Sequence, residues 1–241
     1  MKVKLSVVVP CFNEEKNIPL IFSKFDEVIK RDDIEVILVN NGSKDNSEAI
    51  LNELLPKYHF ARTVKVEVNQ GYGFGILTGL QYAKGEFLGW THADMQTDPH
   101  DVVKALEILE TSPSPHKTYV KGERKNRPRF DQFFTSGMSL FESLYLGERL
   151  YDINAQPNIF HQSFFQSWVN PPHDFSLDLY ALYMARRNKL NVIRFDVVFP
   201  ERIHGQSSWN TGLSAKWKFI KRTIHFSKKL KGELKSGVHS S

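Results

Sequence analysis

The stretch Leu5-Ser6-Val7-Val8-Val9-Pro10-Cys11-Phe12-Asn13-Glu14-Glu15 sets the reading of the chain. It opens with an apolar run interrupted only by Ser6, the mark of a strand covered on both faces. Pro10 and the polar residues beyond it end that strand in a loop. Ile18, Ile21, Phe22 and Phe25 follow at helical spacing. The same order then recurs. Glu35-Val36-Ile37-Leu38-Val39 is a second buried strand, and Asn40-Asn41-Gly42-Ser43 is a tight turn before an Asp/Ser-rich helix start, Lys44 to Ser47. Val64-Lys65-Val66-Glu67-Val68 runs into Asn69-Gln70-Gly71-Tyr72-Gly73-Phe74-Gly75. Strand, polar loop and helix in repetition predict an α/β fold, with first strands at residues 4–9 and 35–39. Ligands of open α/β sheets bind at the carboxyl ends of their strands.

A fourth strand-like segment, Gly85 to Trp90, delivers Thr91-His92-Ala93-Asp94-Met95-Gln96-Thr97-Asp98-Pro99. A helix is expected to begin near Pro99. On an extended backbone His92, Asp94 and Gln96 share one side. Hard oxygen donors and an imidazole there suit a divalent cation that also holds phosphate oxygens. An Asp-rich turn capping a helix is the alternative on this segment alone.

Taken together, these segments resemble glycosyltransferase family 2. The motifs are Val8-Val9-Pro10-Cys11-Phe12-Asn13-Glu14, Asn40-Asn41-Gly42-Ser43-Lys44-Asp45, Asn69-Gln70-Gly71-Tyr72-Gly73 and His92-Ala93-Asp94-Met95-Gln96. Phe175-Ser176-Leu177-Asp178-Leu179 and Arg202-Ile203-His204-Gly205-Gln206-Ser207-Ser208 extend the resemblance, which covers residues 4 to 210 and is closest to the polyprenyl-phosphate, dolichol-phosphate mannose synthase-like branch. It implies one GT-A-type nucleotide-diphospho-sugar transferase domain over residues 1–212. Its central sheet would be mostly parallel, with flanking helices and one short antiparallel strand. The implied activity is inverting transfer of a sugar from a nucleotide-diphosphate donor, with Mn²⁺ or Mg²⁺, to a lipid-linked (polyprenyl-phosphate) or glycan acceptor.

Site residues follow from the motifs. Asp94, Gln96 and His92 are the metal candidates. Pro10, Phe12, Asn13, Glu14, Asn40, Asn41, Asp45, Gly71, Tyr72, Gly73 and Ser207 are the nucleotide-sugar candidates. Asp94, Asp152, Asp178 and Arg202 are the catalytic candidates. A hydroxyl acceptor needs a general base, for which Asp152 or Asp178 is the choice. A phosphate acceptor needs none, and Arg202 would hold it through its planar fork. Structural readings stand beside these: Glu14 favouring a helix start, Asp45 capping one, and Asp178 on the surface of a helix carrying Leu177, Leu179 and Leu182. Two departures remove negative charge from the pocket. His92 stands where the branch has Asp, and so does Asn40. Ser208 also replaces a lysine expected after Ser207. These departures support the alternative of a catalytically silent sugar-nucleotide-binding or membrane-scaffold protein. The Gly71–Gly75 loop is a poor dinucleotide fingerprint, because that motif belongs after the first strand.

Composition bounds the rest. The chain has 241 residues, 41% of them hydrophobic, enough for a substantial core. A single cysteine, Cys11, excludes an internal disulfide framework and fits a reducing compartment. No secretory signal or bilayer-crossing run is evident. Val120 to Arg124 reads as a strand, residues 129 to 150 as helical, and Asp152 to Pro157 as a polar turn before Ile159-Phe160. The formal charge is +5, and it is concentrated near the end. Lys216, Lys218, Lys221, Arg222, Lys228, Lys229, Lys231 and Lys235 face one acid there, Glu233. Leu213, Trp217, Ile220 and Ile224 fall on one helical face. Residues 213–241 are therefore expected to be a basic amphipathic extension. It either lies on an anionic membrane surface or docks on the domain. The expectation is a cytoplasmic protein, peripheral on the inner membrane face, with no nucleic-acid partner.

Overall fold

The computed structural model describes residues 2–125, 129–200 and 213–238. A seven-stranded sheet carries the fold, in the order β3-β2-β1-β4-β6-β5-β7. Its strands are β1 (Leu5–Cys11), β2 (Ile34–Asn41), β3 (Ala61–Val66), β4 (Phe87–Trp90), β5 (Thr118–Lys125), β6 (Asn158–His161) and β7 (Asn191–Val198). All pairings are parallel except those of β6, which runs antiparallel to both β4 and β5. The expected short antiparallel strand is therefore present.

Alternation along the strands splits the core into two layers. Val8, Ile37 and Val39 point to the face covered by α3 (Tyr72–Tyr82), through Ile76 and Leu80. Val7, Val9, Val36 and Leu38 point to the other face. There α1 (Ile18–Val28) presents Ile18, Ile21, Phe22 and Phe25, and α4 (Pro99–Thr111) presents Val102, Leu106 and Leu109. Period-two strands thus meet period-3.6 helices on both sides. The start of α4 is built as its sequence predicts: Asp98 caps it by accepting from the His100 N–H at 2.9 Å, and Pro99 opens it.

Strand β3 ends earlier than its apolar pattern predicts. Its last ladder pair is Asn41 with Val66, where β2 itself stops. Val68 has no neighbouring strand there and is 70% exposed. Beyond β5 lie α5 (Arg129–Leu146), α6 (Gln162–Gln166), α7 (Leu177–Arg187) and α8 (Leu213–Lys235). No described helix is long and apolar enough to cross a membrane.

Helix α8 packs on α5, but not along the stripe the sequence suggested. Its buried positions are Thr223, Phe226, Ser227 and Leu230, one helical face offset from Trp217, which is 57% exposed. The reason is polar. Ser227 donates to Glu142 Oε2 at 2.5 Å, and Lys231 Nζ to the Tyr145 carbonyl at 2.7 Å. Burial pushes the Glu142 carboxyl up to about 7.

Close approach fixes several glycines. A Cβ on Gly79 of α3 would lie 2.4 Å from Val8 Cγ1 and 2.9 Å from Val39 Cγ2, whereas one on Gly137 of α5 meets nothing within 4 Å among the described atoms. Gly79→Val should therefore lower the urea-unfolding free energy by about 1–3 kcal/mol through overpacking. Gly137→Ala should raise it by about 0.5–1 kcal/mol through helix propensity. Equal midpoints for the two variants would contradict this packing.

Candidate active site

The carboxyl ends of β1 and β2 are sewn together by their loops. Asn13 turns in the left-handed region, at φ 57°, a conformation Asn tolerates better than most residues. Its N–H donates to Ser43 Oγ at 3.0 Å, and its Oδ1 accepts from the Lys44 N–H at 2.8 Å. The Glu14 N–H donates to Ser47 Oγ, and the Glu15 N–H to Asp45 Oδ2 at 3.1 Å. Burial pushes the Asp45 carboxyl up, but hydrogen bonds from Ser47 and the Glu15 N–H outweigh it and hold the group below the usual range. Glu14 Oε2 accepts from Asn17 Nδ2 at 2.6 Å. Asn40 is buried, and its Oδ1 accepts from the Ser43 N–H at 3.2 Å, closing the turn through Gly42 at φ 71°. Pro10 is half-buried, while Phe12 stands exposed at the rim. Cys11 is fully buried, and burial together with Glu14 and Asp45 pushes its thiol far up, so it carries no nucleophilic thiolate.

The third loop joins the second. Asn41 Nδ2 donates to the Gly71 carbonyl at 3.0 Å, and its buried Oδ1 has no partner among the described residues. Gly71 and Gly73 pack on the segment 172–174. A Cβ on either would lie 2.4 Å or 2.6 Å from the His173 or Pro172 carbonyl oxygen. The Phe74 N–H donates to the same His173 carbonyl at 2.9 Å. Part of this loop's glycine content therefore serves chain-to-chain contact.

At the carboxyl end of β4 the backbone leaves extended geometry. The strand stops at Trp90, and Met95 has φ 59°. The alternation expected at 92, 94 and 96 is thus replaced by a turn. Asp94 is buried, and its Oδ1 accepts from the Gln96 N–H at 3.2 Å. Gln96 Nε2 donates to the Pro200 carbonyl at 3.0 Å. The His92 ring lies 5.7 Å from that of Tyr72, which stacks on Phe175 at 4.5 Å. Burial, then Asp178 and Asp94, raise the Tyr72 phenol well above its ordinary value. This tyrosine therefore stays protonated.

Asp178 is not on the surface of its helix. It is 1% exposed. Its Oδ1 accepts from Trp90 Nε1 at 3.2 Å, Gln156 Nε2 at 2.9 Å and Asn158 Nδ2 at 3.3 Å. Gln156 Nε2 also reaches the Tyr72 hydroxyl at 3.3 Å. Asn158 Oδ1 in turn accepts from Lys121 Nζ at 2.6 Å and the Tyr119 hydroxyl at 2.8 Å. Lys121 is fully buried, and burial lowers its amine to about 7. Nearby, Asp152 is committed to Arg124, which reaches it through its backbone N–H at 2.7 Å and Nε at 2.8 Å. Burial pushes that carboxyl up, but Arg124 outweighs it and holds Asp152 below the usual range. Trp90, Tyr119, Lys121, Gln156 and Asn158 were not singled out from sequence. Their one signal was a polar group beside apolar strand residues, as in Tyr119-Val120-Lys121 and Asn158-Ile159-Phe160. Arg202, Ser207 and Ser208 lie outside the described residues.

A mostly parallel sheet with loops gathered at its carboxyl ends defines a GT-A-type α/β domain. The family pattern described as "Glycosyl transferase family 2" matches residues 6–171, and the chain belongs to that family. A prophage bactoprenol glucosyl transferase homolog of Escherichia coli is 34% identical over 43% of this chain and 34% of its own length. A dolichol-phosphate mannosyltransferase of Pyrococcus furiosus is 25% identical over 56% of this chain and 39% of its own. The matched segments span little more than a third of those relatives. Among solved structures, glucosyl-3-phosphoglycerate synthase from Mycobacterium tuberculosis superposes at TM-score 0.70, with 17% identity over 94% of this chain and 80% of its own. That protein was solved in complex with Mn²⁺, UDP-glucose and phosphoglyceric acid.

The Lys121 environment generates a pH prediction. Its folded-state value lies near 7, while the unfolded chain keeps an ordinary lysine value. Between the two, the unfolded state holds more protons, so stability should rise with pH. The difference in urea-unfolding free energy between wild type and Lys121→Met should climb from about pH 7 to about pH 10. A difference that stays flat would refute a neutralised Lys121.

Proposed function

We propose that this domain transfers a sugar from a nucleotide-diphosphate donor to a lipid-linked phosphate or glycan acceptor, with inversion. The observation that carries the reading is the buried Asp94 beside His92, Tyr72 and Asp178, following the strand next to the Glu14 loop, inside the family-matched region. Asp94 and Gln96 are hard oxygen donors of the kind Mn²⁺ and Mg²⁺ take, and His92 tilts the set toward Mn²⁺. These residues would hold the ion, which supplies neutralisation of the departing diphosphate. The sewn β1 and β2 loops, with Pro10, Phe12, Asn13, Glu14, Asn41 and Asp45, hold the nucleoside. Gly71, Tyr72 and Gly73 wall the donor site, and Asn40 shapes its turn.

The acceptor oxygen attacks the anomeric carbon as the bond to the diphosphate breaks. Asp152, paired with Arg124, and Asp178, buried under Tyr72, are positioning groups more than bases. That favours an acceptor which is already ionised. A polyprenyl phosphate meets the requirement, and the names of the bactoprenol, dolichol and undecaprenyl relatives agree. Arg124 lines a cleft with Met138, Phe175 and Phe219, pairing a guanidinium with apolar walls. Arg202 is proposed for the acceptor phosphate and Ser207 for the nucleotide sugar.

Asp94→Ala should abolish Mn²⁺-dependent binding of the donor and lower transfer on the order of 10²–10³-fold. A panel of nucleotide sugars, scored by metal-dependent thermal stabilisation and then turnover, measures both. Full activity in the variant would remove the assignment.

Residues 213–241 are proposed as the membrane-facing extension, and α5 shares that task. Phe133, Leu140 and Leu144 of α5 are 80%, 62% and 77% exposed, at helical spacing. Lys218, Lys221, Lys228 and Lys229 of the adjoining α8 are exposed as well. An apolar stripe beside clustered lysines fits an anionic lipid surface on the inner face of a membrane. Each engaged lysine contributes about 1 kcal/mol near such a surface. Wild type should sediment with phosphatidylglycerol vesicles at low salt and be released at high salt. Leu140→Ser/Leu144→Ser should lose binding with an unchanged melting temperature. Wild type that ignores the vesicles at low salt excludes this role.

A further inference from the structure

At the opposite end of the sheet, three potential metal ligands converge from separate elements. Glu86 immediately precedes β4, and His161 closes β6, where it pairs with Phe87. His116 lies in the short turn Pro115–Lys117 that leads into β5. The ligand atoms of the three residues all lie within 4.8 Å of one another. His116 Nε2 is 3.8 Å from Glu86 Oε1, and the two imidazole centroids are 4.1 Å apart. We propose that Glu86, His116 and His161 form a binding site for a borderline divalent cation, foremost Zn²⁺.

Coordination geometry supports the assignment. Tetrahedral Zn²⁺ with nitrogen and oxygen ligands at about 2.0–2.2 Å places those ligands roughly 3.3–3.6 Å apart. The existing separations need to close by little more than about 1 Å, a side-chain adjustment for an imidazole that is 63% exposed. The surroundings restrain the rest. The Phe87 ring meets both imidazoles edge-on, at 6.4 Å and 5.8 Å. His161 Nδ1 lies 2.8 Å from Ser163 Oγ and 3.2 Å from the Ser163 N–H. Nδ1 accepts from that N–H, so ligation through Nε2 would move the ring proton to Nδ1 and exchange this contact for donation to the Ser163 hydroxyl, the outer-shell partner of a metal-bound histidine. Lys4 Nζ holds Glu86 Oε2 at 3.1 Å, so the other oxygen, Oε1, is the one turned toward His116.

The donor set also predicts selectivity. Two imidazoles and one carboxylate suit Zn²⁺, Ni²⁺ or Cu²⁺ over Mg²⁺, unlike the oxygen donors around Asp94. The two sites sit at opposite ends of β4, a strand spanning on the order of 13 Å. Bound here, the ion would tie the pre-β4 segment, the β5 lead-in and the end of β6 together. The inference is independent of the transferase reading.

The test uses full-length protein stripped of metal, with Mn²⁺ in excess to occupy the Asp94 region, and titrates Zn²⁺ by calorimetry. One Zn²⁺ equivalent should bind and raise the melting temperature. His116→Gln and His161→Gln should each weaken that binding by at least about 10-fold, on the scale of losing a ligand or its partner. Asp94→Ala should leave it intact. No Zn²⁺ binding to wild type, binding unchanged in His116→Gln, or binding lost in Asp94→Ala would each overturn the proposal. His116→Gln is a surface change, so its melting temperature without Zn²⁺ should match wild type and confirm an intact fold.

Discussion

Asp178 is a carboxylate held almost entirely out of water, and the centre of the molecule is organised around satisfying it. An unpartnered buried charge costs several kcal/mol. Here one oxygen collects donors from Trp90 on β4, Gln156 in the loop before β6, and Asn158 on β6 itself. Each donor must hold its position, so each element that carries one is held too. The antiparallel β6 is a direct consequence. It brings Asn158 beside Trp90 in register and leaves Asn158 Oδ1 to take the Lys121 amine and the Tyr119 hydroxyl from β5. Acid and amine are linked through the Asn158 amide. A network of this kind is stable only when it is complete, which makes it a rigid floor.

The candidate active site rests on that floor and depends on it. Tyr72 touches the network through Gln156, stacks on Phe175 and lies against His92. Its position couples the glycine loop after β3 to the turn after β4. The other half of the site is stitched differently. The loops after β1 and β2 exchange backbone and side-chain hydrogen bonds through Asn13, Glu15, Asp45 and Ser47. Polar residues that read as nucleotide contacts therefore have a second task, keeping two loops in one conformation. Preorganisation of that sort reduces the ordering cost of binding a charged ligand.

The periphery follows another rule. Helices α5 and α8 meet through a buried acid, Glu142, and the Ser227 hydroxyl, and they leave Phe133, Leu140, Leu144 and Trp217 facing outward. Large exposed apolar side chains grouped in this way mark a candidate contact surface. At the opposite end of the sheet, His116 and His161 cluster with Glu86 for the same topological reason that builds the floor: β4, β6 and β5 are neighbours. The antiparallel strand carries polar groups to both of its ends.

Sequence alone determined the elements and the family. Apolar runs at residues 5–9 and 35–39, the Asn-Gly turn and Pro99 each act through neighbours a few residues away, so they are legible one segment at a time. The ordered motifs added the site's outline. Three-dimensional contact decided the remainder. Asp178 read either as a general-base candidate or as a surface residue of its helix; donors from Trp90, Gln156 and Asn158 bury it at the centre. The alternation expected at His92, Asp94 and Gln96 gave way to a turn, because β4 ends at Trp90 and Met95 takes a left-handed conformation. Helix α8 buried Phe226 and Leu230, not the stripe through Trp217, because hydrogen bonds to α5 set its rotation. Lys121, Gln156 and Asn158 looked like stray polar residues, since a buried network joins partners 20 to 37 positions apart and leaves no periodic trace in the chain.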